Sequence, residues 1–338
     1  MTTGGIMRNT AASRQRARNA VATPAGPRTL LSRAQRGICF FLLFCSANVS
    51  TVSAQGPGPK ITGISHVRIR VSAYCKAHDF YTQVLGRRPY CPPDNTQAEP
   101  AGGSITLWTG QFITLNVYSL YPKPPQPEDL LEEVGFFTDD AAALRAYLHS
   151  QAIEASETGE QPASFVVRDP QGMRVAFVEH SARPLGERPS VPSAEQRRII
   201  HAGFVVRDQA AMDHFYKDLL GFRPYWHGGM KDDETSWISL QVPDGTDWIE
   251  FMVNLPPNPD QHQRGVMNHI ALGVVDIRAT REQLVKNGVH LTEEPKLGRD
   301  GKWQLNLYDP DQTRIEFMEF TPKEKPCCSD YTGPHPKP

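Results

Sequence analysis

Four residues in the C-terminal half could do metal chemistry: His201 in IIHAGF, Glu250 in WIEFMV, His269 in NHIALG and Glu316 in RIEFME. Imidazoles and carboxylates are the expected ligands of zinc, nickel, manganese or ferrous iron. Each sits in an alternating segment, so its side chain faces the sheet surface opposite to its immediate neighbours. A carboxylate between Ile249 and Phe251, or between Ile315 and Phe317, is costly to bury unless paired or metal-bound. Taken singly, each also has a blander reading. A strand His is commonly a satisfied structural residue, and a strand Glu commonly points at solvent. His214, His227, His262, His290 and His335 are further imidazoles, read as solvated or structural. Trp226, Trp237, Trp248 and Trp303 are read either as core or as the lining of an aromatic cavity.

The elements that must position these residues come from a repeat. ISHVRIRVSAYCKAHDFYTQVLGRRPY (64–90) lies over IIHAGFVVRDQAAMDHFYKDLLGFRPY (199–225), and RDPQGMRVAFVEH (168–180) over YDPDQTRIEFMEF (308–320). In each copy an alternating strand leads to an amphipathic helix with an aromatic pair, Phe80-Tyr81 or Phe215-Tyr216. A Leu-Gly stop follows, suited to the left-handed residue that ends a helix. Asp-Pro opens a later turn before a closing strand. In the second copy WISLQV and DWIEFMVN complete one half. HIALGVVD, a helix over 276–288, HLTEEP, KWQLNLYD and RIEFMEF form the other. Two strand–helix–three-strand halves give eight strands per copy and an α+β class.

The FYxxxLG helix ending, the DPD turn before an IEF strand and the paired half-modules resemble the vicinal oxygen chelate superfamily. That group includes glyoxalase I, extradiol dioxygenases, methylmalonyl-CoA epimerase and the fosfomycin and bleomycin resistance proteins. The resemblance implies two tandem domains, each built from two βαβββ modules forming a cup-shaped eight-stranded sheet. The chain then divides into a signal peptide (1–54), a degenerate domain (55–182), a linker (183–196), a metal-bearing domain (197–322) and a flexible tail (323–338). The family holds one divalent ion inside a cup, on the first, fourth, fifth and eighth strands. Those positions are His201, Glu250, His269 and Glu316, with Glu250 or Glu316 as the candidate catalytic base. In the first copy they are His66, Thr114, Glu133 and Ala176, a poor divalent site. Its expected role is structural, a partner-contact surface or a lid, with His66 a packing residue.

The scaffold hosts several reactions. Four ligands, and Asn254 where glyoxalase I has a glutathione-contacting Asn, favour proton transfer of the lyase, isomerase or epimerase kind. Val205 departs from that enzyme's Arg. A trio of His201, His269 and Glu316 suits an extradiol-type Fe(II) dioxygenase, but Asn306 stands where that family has a Tyr, and no His lies between His290 and the turn. The third reading is a non-catalytic small-molecule binding protein.

Formal net charge is −1, which does not suggest nucleic acid as a partner. The expected partner is a small-molecule substrate, with no nucleotide cofactor, and the assembly a monomer or homodimer. The first 36 residues hold seven Arg and no acid, before the apolar run ICFFLLFC and a Val52-Ser53-Ala54 site. That pattern is a secretory signal, so the mature chain is expected to start at Gln55, exported and free of the membrane. Of the remaining cysteines, Cys75, Cys91, Cys327 and Cys328, pairing is open, with a tail disulfide favoured.

Overall fold

A computed structural model describes residues 60–88, 91, 100–118, 129–157, 164–180 and 197–338. The signal segment and the 183–196 linker lie outside them. No helix among the described residues is long and apolar enough to cross a membrane.

The first half contains β1 (Ile61–Val71), α1 (Tyr74–Val84), β2 (Gly102–Thr106), β3 (Phe112–Val117), β4 (Leu131–Thr138), α2 (Ala141–Ser150), β5 (Ser156–Glu157), β6 (Ser164–Arg168) and β7 (Arg174–Glu179). The second contains β8 (Arg198–Val205), α3 (Gln209–Asp213, running on as a π-helical turn to Leu219), β9 (Arg223–Gly228), β10 (Trp237–Gln241) and β11 (Trp248–Met252). It continues through α4 (Gln261–Met267), β12 (His269–Val274), α5 (Ile277–Lys286), β13 (Lys296–Leu297), β14 (Trp303–Tyr308) and β15 (Arg314–Glu319). The sheets run β2-β3-β1-β4-β7-β6-β5 and β9-β10-β11-β8-β12-β15-β14-β13. The order is the same, strand for strand. The place of an eighth strand in the first sheet falls between α1 and β2, where most residues are undescribed.

Local chemistry explains the element ends. Asp140, Asp208 and Asp276 cap their helices by accepting a backbone N–H of the first turn. Gly86 (φ 69°) and Gly221 (φ 75°) take the left-handed conformation at the Leu-Gly stops. The elements of the second half depart from the expected ones at two places. HLTEEP is irregular, and the strand there is reduced to Lys296–Leu297. The short α4, closed by a capping box between Asp260 and Gln263, is an element that periodicity did not indicate.

α1 packs on β2 and β3, α2 on β6 and β7, and α5 on β14 and β15. The main apolar core runs continuously through both halves. A smaller cluster, including Tyr225, Trp248, Ala271 and Met318, occupies the metal face of the second sheet.

The halves are joined by reciprocal bonds between equivalent residues. Tyr81 donates to Asp309 (3.2 Å), and Tyr216 to Asp169 (3.5 Å). Ile64 N–H donates to Asp247 (3.0 Å), while Ile199 N–H donates to Gln111 (2.8 Å). Burial raises Asp309 to about 7 and Asp169 to about 6, despite the backbone N–H groups and tyrosines that favour their charged forms.

The 323–338 tail, expected to be flexible from its proline and charge content, is packed against the second sheet. Thr332 N–H donates to Tyr225 O (3.0 Å), Trp226 Nε1–H to Cys327 O (3.2 Å) and Gln241 Nε2–H to Pro334 O (2.8 Å). The Tyr331 ring lies tilted against that of Tyr225, 4.8 Å between centroids. Among the described residues two disulfides form, Cys75–Cys91 and Cys327–Cys328.

Candidate metal centre

β8 and β12 lie antiparallel at the middle of the second sheet, with β11 parallel to β8 and β15 parallel to β12. One cross-strand row holds Glu250, Gly203 and His269, and the next holds His201, Ala271 and Glu316. The rows are two residues apart on each central strand, so all four functional side chains share one face. The register shifts beside His201, as bulges next to functional sites do to re-aim a side chain.

The small residues between them matter. A Cβ at Gly203 would fall inside the His269 ring, so only glycine leaves room for that imidazole. The ring nitrogens His201 Nε2 and His269 Nε2 stand 3.1 Å apart. Glu316 Oε2 lies 3.5 Å from His201 Nε2 and 4.0 Å from His269 Nε2, and Glu250 Oε2 lies 3.2 Å from His269 Nε2. Three donor atoms from three strands, those of His201, His269 and Glu316, therefore converge, and Glu250 meets the group through His269. Donors about 2.1 Å from one ion would be spaced by roughly 3.0–3.4 Å at right-angled to tetrahedral geometry, so the His201, His269 and Glu316 donors fit a divalent cation after a small contraction. The His201, His269 and Glu316 donors alone form a compact, buried trio.

Burial pushes His269 well below the usual imidazole range, and Arg314 and His201 add to this against the pull of Glu316. A neutral imidazole is the form that ligates. Burial would raise Glu316, but Arg314, His201 and His269 hold its carboxyl below the ordinary value. Both directions favour ligand-ready protonation states.

A cavity of about 360 Å³ opens on this face, lined among others by Glu250, Glu316, Trp226, Trp237 and Trp248. Glu250 keeps 14% of its side chain exposed, against 4% for Glu316. Three of the four tryptophans thus line the cavity. Trp303 instead lies under the Arg278 guanidinium. Asn254 and His290 are exposed and do not line it, while Asn306 lines it and donates to Glu293 (3.2 Å). His335 joins the tail by bonding Tyr225 OH (2.6 Å). His214, His227 and His262 are exposed. The sequence reading missed Asp300, Arg299, Arg314 and Tyr331, which also line the cavity. Tyr331 and Arg299 sit outside the strands that carry periodicity, so no pattern marked them.

The first sheet confirms the register and corrects one expectation. His66, Thr114, Glu133 and Ala176 occupy the matching places. His66 is more than packing: its Nε2 meets Glu133 at 3.0 Å. Arg68 stands where the second sheet has Gly203.

A model of the Glyoxalase/Bleomycin resistance protein/Dioxygenase superfamily matches residues 198–317. The chain is also 30% identical over 124 residues to a lactoylglutathione lyase of Haemophilus influenzae, a stretch covering 36% of this chain and 92% of the lyase. The chain belongs to this superfamily. Among solved structures, its fold is similar to an extradiol ring-cleaving dioxygenase of Brevibacterium fuscum, with a TM-score of 0.56, 18% identity, and 78% of this chain and 72% of that one covered. It is similar as well to the 2,3-dioxygenase LapB of Pseudomonas sp. KL28, with a TM-score of 0.55, 16% identity, and coverage of 83% and 96%. The superfamily's glyoxalases and dioxygenases use a divalent metal, and the His201–His269–Glu316 group is the place for one here.

Proposed function

We propose that the protein is a divalent-metal-dependent enzyme whose small substrate offers two neighbouring oxygens to the ion, and that its reaction is proton transfer of the lyase, isomerase or epimerase kind. The observation that supports this reading is the second carboxylate. Glu250 reaches the donor cluster yet remains the more accessible of the two acids, on the cavity wall. Glu316, His201 and His269 are the buried ligands. A bound divalent ion supplies a Lewis acid that polarises a carbonyl and stabilises charge developing on its oxygen. Glu250 is placed to accept the proton from the adjacent carbon and return it. The tryptophan-lined wall limits water around that exchange. Zinc or nickel suits this chemistry. The small-molecule substrate and an exported location remain part of the proposal, the latter supported by the N-terminal pattern and by the two disulfides.

The second reading, an Fe(II) extradiol-type dioxygenase, is favoured by the compact two-His-one-carboxylate trio and by the fold likeness. It leaves Glu250 without a role and lacks the Tyr that Asn306 replaces.

The test combines elemental analysis with proton exchange. Hydroxyacetone in deuterated water, followed by NMR, should exchange its carbon-bound protons with the wild-type protein. Glu250→Gln should keep metal on the remaining ligands and slow exchange by roughly 100-fold or more. Oxygen uptake with catechols in place of exchange would move the assignment to the dioxygenase reading. Binding without either reaction would leave a binding protein.

A further inference from the structure

Lys302 is fully buried, and its Nζ has no hydrogen-bond partner among the described residues. The ammonium lies 4.4 Å from the Trp248 ring centroid, 5.3 Å from that of Tyr331 and 5.6 Å from that of Tyr225. These same three rings line the metal-face cavity. Trp248 in turn lies against the His201 imidazole, 4.6 Å between centroids. A single layer of aromatic side chains therefore separates this amine from the site; burial brings it down to about 8, with Asp300, Glu316 and Glu250 favouring its charged form.

The tail builds this arrangement. Tyr331 OH donates to Asp300 O (2.9 Å), and Lys323 N–H to Gly301 O (2.7 Å), clamping the turn that presents Lys302. That segment lies beyond the 198–317 stretch shared with the superfamily model. The first half has no counterpart: Pro162 stands at the matching place in its sequence, and its metal positions are also changed.

A buried ammonium without a hydrogen bond destabilises a fold, and cation–π contact recovers only part of that cost. Its charged neighbours, Asp300, Glu316 and Glu250, draw on it electrostatically, but Asp300 already accepts from Lys302 N–H and from Gln304. The residue is thus better accounted for by what enters the cavity than by fold stability.

We propose that Lys302 is a positioning residue of the metal site, a cation held behind Trp248 that favours an anionic chelating substrate in its more negative form. The field crosses a buried aromatic layer, where the local dielectric is low and charge interactions are stronger than in water. The inference rests on the metal-dependent reading above.

The test uses the full chain loaded with zinc and 4-nitrocatechol, a vicinal diol whose absorbance separates its singly and doubly ionised forms. Lys302→Met should keep the zinc and melt no lower than wild type. Its affinity for 4-nitrocatechol should fall by roughly tenfold, and the pH midpoint for the second ionisation of the bound probe should rise by about one unit. Lys302→Arg should restore most of both. If Lys302→Met does not fold, Lys302→Gln carries the same comparison. Zinc bound equally with unchanged affinity and midpoint would overturn the Lys302 assignment alone. Absence of zinc from the wild-type protein would instead overturn the metal reading, and this inference with it.

Discussion

The two sheets solve one structural problem in opposite ways. Both bring a His on the first strand opposite the middle of the cup, and both set a small residue across from it, Gly135 in the first and Ala271 in the second. In the second sheet, glycine at 203 leaves space that His269 fills, and the His201, His269 and Glu316 donors face a common point, with Arg314 acting on them electrostatically. In the first, Arg68 takes the glycine's place and Glu133 the histidine's. Glu133 then meets Arg174 at 2.6 Å, His66 at 3.0 Å and Arg68 at 3.4 Å. Burial alone would raise Glu133, but His66 and the two guanidinium groups bring it down to about 2. The first cup thus surrounds its buried carboxylate with side-chain cations at close range, where the second sets two imidazoles and a carboxylate against one another, a set that can hold an ion. One register can serve as a metal site or as a structural ion cluster, depending on a few residues that face inward.

The sharpest way to break this comparison is to remove a ligand on each side. His269→Ala should abolish stoichiometric metal, with affinity falling well beyond the roughly 100-fold seen when only a ligand's supporting partner is lost. Glu133→Gln should leave metal content intact by elemental analysis. It should instead destabilise the protein by about 3 kcal/mol, because two guanidinium groups lose their partner in a largely buried place. The loss would be read as a lower melting temperature.

Gly203→Ala probes the space itself. The added methyl must displace the His269 ring, so metal affinity should drop by roughly tenfold or more, as when a ligand loses its orientation. Unchanged affinity would show that the cup relaxes around the methyl.

The smallest effect is in pH. Glu133 is depressed in the folded state, so its contribution is present above its ordinary value of 4.5 and lost as pH falls towards about 2. Asp309 is raised, so its contribution is complete below its ordinary value of 3.8 and lost as pH rises through about 7. Metal-free protein should therefore melt highest in the mildly acidic range. Glu133→Gln should flatten the acid limb and Asp309→Asn the neutral limb. A profile unchanged in both variants would remove these groups from the account.

Much of this was readable from local pattern. Alternation marks β8, β11, β12 and β15 and puts His201, Glu250, His269 and Glu316 on inward positions, because side-chain direction in a strand follows residue parity. The Leu-Gly stops and Asp-Pro turns are equally local. The fate of HLTEEP was not, since a segment with strand-like composition still needs a neighbour to pair with along its length.

The sequence by itself therefore determined the doubled architecture and the residues that could bind a metal, through short-range rules of period, capping and turn chemistry. Tertiary structure alone decided which acid faces the cavity and that Arg68 and Arg174 neutralise the first cup. It also decided the reciprocal Tyr–Asp bonds between halves and the place of the tail, which walls the cavity and encloses Lys302. Each of these depends on groups far apart in the chain meeting at a few ångströms, where burial makes an unpaired charge too costly to leave to local preference.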